Sequence, residues 1–82
     1  MKNDEVYKNL TLLFRDIFMR DNIVLQPSMS AKDIPGWDSF KQMQIIICVE
    51  EFFGVTISTK ILDRLQTVGD LAEAIVALTE VR

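Results

Sequence analysis

Apolar residues recur at helical spacing in separate stretches of this chain, and between the first two the pattern disappears. From Asp4 to Arg20 the positions Val6, Leu10, Leu13, Phe14 and Ile17 repeat every three or four residues, the period of one helix face. Phe18 and Leu12 widen that stripe. Asp4 and Glu5 in the first turn and Arg20 in the last suit a helix dipole, which favours anions at its start and cations at its end. The stripe reads as core, with Met1 to Asn3 expected to fray. Asp21 to Trp37 then shows no sustained period. Connections of this length are uncommon in small domains and are often functional. Val24, Leu25 and Ile34 are the residues expected to pin it to the helices.

The second periodic stretch, Ser39 to Phe53, contains no glycine or proline and stops at Gly54, a residue free to take the left-handed turn that ends a helix. At roughly 100° per residue, Ile45, Ile46, Val49, Phe52 and Phe53 fall on one broad face, with Cys48 at its edge. Phe40, Ile47 and Glu51 fall opposite with Gln44, and Met43 and Glu50 lie beside them. The first face is expected to be core. The second mixes apolar groups with carboxylates, the composition of a contact surface on a small domain. The competing reading has the long loop covering Phe40, Met43 and Ile47. Cys48 reads as a small buried hydrophobe.

Val55-Thr56-Ile57 is β-branched, but a lone strand would have no partner, so it reads as an extended connector burying Val55 and Ile57. Ser58 or Thr59 caps a short helix through Ile61, Leu62 and Leu65. Thr67 opens the last helix with Asp70 three residues on, a capping-box arrangement, and Val68, Leu71, Ile75 and Leu78 face inward. The sum is an all-α fold of three longer helices and one short one, with a long first loop, in one domain spanning 1–82. Its expected core contains Leu10, Phe14, Ile17, Ile45, Val49, Phe53, Leu62, Val68, Leu71 and Ile75.

Composition narrows the function. The chain has 82 residues, 49% hydrophobic and 26% charged, which fits one small domain. Stability of about 4–8 kcal/mol is expected at this size. Cys48 is the single cysteine, so no intramolecular disulfide forms, and a lone thiol with no signal peptide suits the cytoplasm. No apolar run is long enough to span a membrane. A net charge of −3 and a pI near 4.7, with Lys and Arg scattered, argue against nucleic acid and suit enzymes that present basic patches. There is no histidine, which excludes Ser–His and Cys–His nucleophile pairs. No Cys/His cluster, EF-hand or glycine-rich phosphate loop is present. The chain reads as a non-enzyme and a monomer, without catalytic residues or metal ligands.

One segment holds candidate chemistry. In Pro35-Gly36-Trp37-Asp38-Ser39-Phe40 the first two residues bend the chain and Asp38 is a good helix N-cap. Ser39 then occupies the first helical position, where unpaired N–H groups carry partial positive charge and a phosphate on the hydroxyl would be stabilised. Asp-Ser and a large apolar residue, opening a helix that ends Val49-Glu50-Glu51-Phe52-Phe53-Gly54, resembles the acyl carrier protein family, the phosphopantetheine-binding carrier proteins. Leu65-Gln66-Thr67-Val68-Gly69-Asp70-Leu71 resembles the family at the same distance from its serine.

The resemblance implies a small four-helix bundle of acyl-carrier type with 4′-phosphopantetheine on Ser39, donated by coenzyme A through a phosphopantetheinyl transferase. It implies a carrier of acyl thioesters, presented to acyl-loading and acyl-processing enzymes of fatty acid, polyketide or a specialised biosynthesis. Asp38 matches the motif's acidic neighbour. Phe40, Met43, Gln44, Ile47, Glu50 and Glu51 lie on the helix such enzymes recognise, Glu50 and Glu51 matching its acidic pair. The chain departs from the family at Phe40, where leucine is usual, and at Phe52, commonly polar. Lys41 and Gln44 stand at positions often acidic in carriers of fatty acid synthesis. An aminoacyl or peptidyl carrier fits the departures as well. The rival from another class is an unmodified helical interaction module using the Phe40, Ile47, Glu51 face.

Overall fold

A computed structural model describes residues 2–80, which form α1 (Asn3–Phe18), α2 (Ser39–Phe53), α3 (Thr59–Leu62) and α4 (Val68–Glu80), with no strand among the described residues. The expected all-helical order of three longer helices and one short one is present. Asn3 is already helical rather than frayed, and Met1 lies outside the described residues.

α1 packs against both α2 and α4. Val6, Leu10 and Phe14 are fully buried on its inner side, joined by Ile17 and Phe18. Leu12 is exposed, because it lies on the far side of the helix from Val6 and Leu10; the stripe does not extend to it. The helix also ends two residues before Arg20. Met19 takes the left-handed conformation at φ 55°, its N–H donates to the Asp16 carbonyl, and the Arg20 N–H donates to the Arg15 carbonyl at 3.0 Å. These two bonds close a helix without glycine. Arg15 is therefore the cation of the last turn, and its Nε donates to the Ile23 carbonyl at 2.9 Å, tying the loop to α1.

Along the loop, Ile23 and Leu25 are buried and Val24 is exposed. An extended chain alternates its side chains, so burying Leu25 turns Val24 outward and brings Ile23 in; Ile23, not Val24, is the second pin. Ile34 is buried as expected. Trp37, at the loop's end, sets its ring edge-on to Phe14 with centroids 5.4 Å apart and lies 6.2 Å from Phe18.

The loop also closes the start of α4. Thr67 Oγ1 accepts from the Asp70 N–H at 3.1 Å, and Asp70 Oδ2 accepts in return from the N–H groups of Gln66 and Thr67. These bonds, Gln66 first, hold the Asp70 carboxyl below its ordinary pKa. The Val68 and Gly69 N–H groups donate to the carbonyls of Met29 and Pro27, at 2.8 and 2.9 Å. The orphan donors of a helix start are thus filled half by a capping box and half by the loop. A β-carbon at position 69 would sit 2.9 Å from the Pro27 carbonyl oxygen, so only glycine allows this approach.

After α2, residues 55–58 run as the expected connector, with Ile57 buried and Val55 half-buried. Ser58 rather than Thr59 caps α3, accepting from the Ile61 N–H. Leu65 lies beyond that helix. Leu62 and Leu78, expected inside, are half-buried: Leu62 ends α3, which is one turn long and buries no residue fully, and Leu78 lies in the last turn of α4. Leu13 of the first stripe is half-buried as well, the other nine residues of the ten-residue expected core are buried, and the radius of gyration, 11.7 Å, is that of a chain packed throughout, about 12 Å at this length.

Candidate functional site

The approach to α2 is a bent chain. Gly36 has φ 90°, a conformation other residues rarely adopt, and the Trp37 N–H donates back to the Ile34 carbonyl. Asp38 is extended and caps the helix, its Oδ1 accepting from the Lys41 N–H at 2.9 Å. Ser39 follows as the first helical residue and is exposed. Its hydroxyl stands where the helix end is positively polarised.

Beside Ser39 opens a cleft of about 610 Å³. Its apolar walls come from Trp37, Met43, Leu62, Leu65 and Leu71 and its polar positions from Gln42, Gln66 and Thr67. Trp37 Nε1 donates to Gln42 Oε1 at 2.8 Å, which fixes the indole against the first turn of α2. An exposed hydroxyl, a helix tip that favours a phosphate and an adjoining cleft of mixed polarity suit a phosphate-linked, amide-containing arm. Trp37 and Gln42 were not singled out from sequence. The available signal was chemical: a part-buried indole N–H requires an acceptor.

Lys41, two residues after Ser39, does not face the hydroxyl with its charge. Its Nζ donates to the Ile17 carbonyl at 3.2 Å, lies 5.9 Å from the Phe18 ring centroid and approaches Gln44 Oε1 at 3.5 Å. The ammonium thus sits at the negatively polarised end of α1.

The two faces of α2 separate clearly. Ile45, Ile46, Val49 and Phe53 are buried, and Cys48 is half-buried at their edge. Phe52 corrects the expected core face. It sits at that face's border and is exposed, its ring edge-on to Phe53 at 5.0 Å. Opposite, Phe40 is 76% exposed, Met43 55% and Ile47 50%, so the long loop does not cover them. Glu51 is exposed on the same side and Gln44 is half-buried. Glu50 differs from its neighbour: its Oε2 accepts from the Ile57 N–H at 2.8 Å, holding the connector to the helix.

A compact helical domain with a hydroxyl at the tip of its second helix, a cleft beside it and an uncovered face below it has the build of a carrier domain. Comparison agrees. Residues 10–75 match the family described as the phosphopantetheine attachment site. A solved solution structure of holo acyl carrier protein from Geobacter metallireducens is 36% identical, covering 89% of this chain and 84% of that one, with a TM-score of 0.85. Comparison with curated proteins gives no match. The chain belongs to the phosphopantetheine-binding carrier family, whose members are carriers rather than enzymes and hold 4′-phosphopantetheine covalently.

Proposed function

We propose that residues 1–82 act as one acyl carrier domain whose arm is attached at Ser39. The observation that supports this is the position of Ser39: first in α2, exposed, capped by Asp38 and open to the cleft. A transferase would bring coenzyme A to the hydroxyl, and the new phosphate ester would lie at a helix start that favours its charge. When bound, the arm supplies a thiol that holds an acyl group as a thioester. The chain's own part is positional. Asp38 fixes the tip, Trp37 and Gln42 fix the wall beside it, and the stripe of Phe40, Met43, Ile47 and Glu51 is left for acyl-loading and acyl-processing enzymes, with Gln44 and Glu50 at its borders. An α2 first turn without a carboxylate favours a dedicated pathway over the standard fatty acid enzymes. The lone thiol of Cys48 suits a reducing cytoplasm, and among the described residues no helix is long and apolar enough to cross a membrane. Incubation with coenzyme A and a broad-specificity transferase, then peptide fragmentation, tests the assignment. The added group is expected on Ser39, and its appearance on any other residue refutes it.

A further inference from the structure

We infer that Trp37 limits the cargo to a short or polar acyl group, by closing the apolar interior to a chain that starts at Ser39. This rests on the carrier reading, because a cargo reaches this part of the molecule only on an arm at Ser39. An alkyl chain on such an arm is stabilised by leaving water, in proportion to the area it buries. Two apolar regions border on Trp37, two residues before Ser39. One is the cleft, and the other is the core at Phe14 and Phe18.

The way to the core is shut. The Trp37 ring stands edge-on to Phe14, with centroids 5.4 Å apart, and lies 6.2 Å from Phe18. It is held there from several sides. Its Nε1 donates to Gln42 Oε1 at 2.8 Å, its backbone N–H donates to the Ile34 carbonyl, and Gly36 before it sets the approach with φ 90°. Gln42 is tied to the same turn, its N–H donating to the Asp38 carbonyl at 2.9 Å. Turning the indole outward would break the bond to Gln42 and open a gap beside Phe14, which is fully buried. The lining of such a gap loses its packing contacts.

The cleft remains, and the arm has first claim on it. Its volume of about 610 Å³ is that of a site for one small ligand, roughly 300–1,000 Å³. Of its lining, Leu71 is buried, Leu62 and Leu65 are half-buried, and Met43 and Gln66 are exposed. Its surroundings are charged. Asp38 lines it and keeps its charge while accepting from the Lys41 N–H. Lys32, Asp63 and Arg64, each next in sequence to a lining residue, are exposed, and the Asp70 carboxylate accepts from the N–H groups of Gln66 and Thr67. A chain that outgrows the cleft therefore meets charged side chains and water, not apolar surface. Only a short acyl group, or one whose polar atoms suit water, avoids that exposure.

The full chain is loaded from butyryl-, octanoyl- and dodecanoyl-coenzyme A by a broad-specificity transferase, checked by intact mass and then melted. The three wild-type forms should melt within about 2 °C of one another, because the added methylenes stay in water. Trp37, the single tryptophan, should keep the same emission maximum in all three. In Trp37→Leu the smaller side chain leaves an apolar gap, and apolar gaps take up apolar groups. Its dodecanoyl form should therefore melt about 4 °C or more above its butyryl form. Circular dichroism checks that this variant is folded; if it is not, the wild-type series decides alone. Wild type whose melting temperature and Trp37 emission shift steadily with chain length would overturn the inference while leaving the carrier reading intact. A folded Trp37→Leu protein as indifferent to chain length as wild type would overturn the part given to Trp37. Wild type that takes no arm from any of the three donors removes the carrier reading and the inference together.

Discussion

Glu50 and Glu51 have the same charge and adjacent positions, yet they do different work. The Glu50 carboxylate accepts from the Ile57 N–H, while Glu51 projects into solvent. Removing the acceptor leaves a part-buried N–H unsatisfied, so Glu50→Ala should lower stability by about 1–2 kcal/mol. Glu51→Ala should change it by no more than about 0.5 kcal/mol. Urea denaturation of the two variants checks the contrast; equal losses would mean that the connector is not held by Glu50. The helical period showed the directions of the two side chains. It could not show that one of them bends to a backbone group seven residues on, because that depends on the path of the connector. Lys41 is similar: its position two residues from Ser39 is legible, and its reach to the end of α1 is a property of how the helices cross.

At the scale of elements, the ends of α2 and the start of α4 were readable because local chemistry decides them. Asp38 caps, Gly54 stops at φ 67°, and Thr67 and Asp70 exchange hydrogen bonds. The end of α1 was not, because Met19 takes a left-handed conformation that its side chain does not advertise. Nor was the role of Gly69 legible, since its constraint comes from Pro27, more than forty residues earlier. Glycine within a helix is ordinarily a weakness, and replacement by alanine gains about 1 kcal/mol in propensity. Here the new β-carbon meets a backbone oxygen, so Gly69→Ala should instead cost about 1–3 kcal/mol and loosen the loop. A melting curve, with amide exchange at Val68 and Gly69, reads both effects. A more stable variant would show that the loop does not dock on α4 as described.

Taken as a whole, the domain is organised around α1, which meets α2 and α4, while the loop joins α1 to the start of α4. Val49 is fully buried on the inner face of α2. Val49→Ala should cost about 1–3 kcal/mol and lower the melting temperature visibly; an unchanged curve would put Val49 outside the core. Ser39 is the counterpart: it adds little to this packing and carries the proposed function. Its exposed hydroxyl can be removed without disturbing the core, and Asp38 already caps the helix, so Ser39→Ala should alter stability by no more than about 0.5 kcal/mol. Intact mass of wild type and Ser39→Ala after incubation with coenzyme A and a transferase, beside their melting curves, is the most direct test. The account predicts that wild type gains one phosphopantetheinyl group, and that the alanine variant folds equally well and gains none. A folded Ser39→Ala protein that still acquires the arm would contradict it.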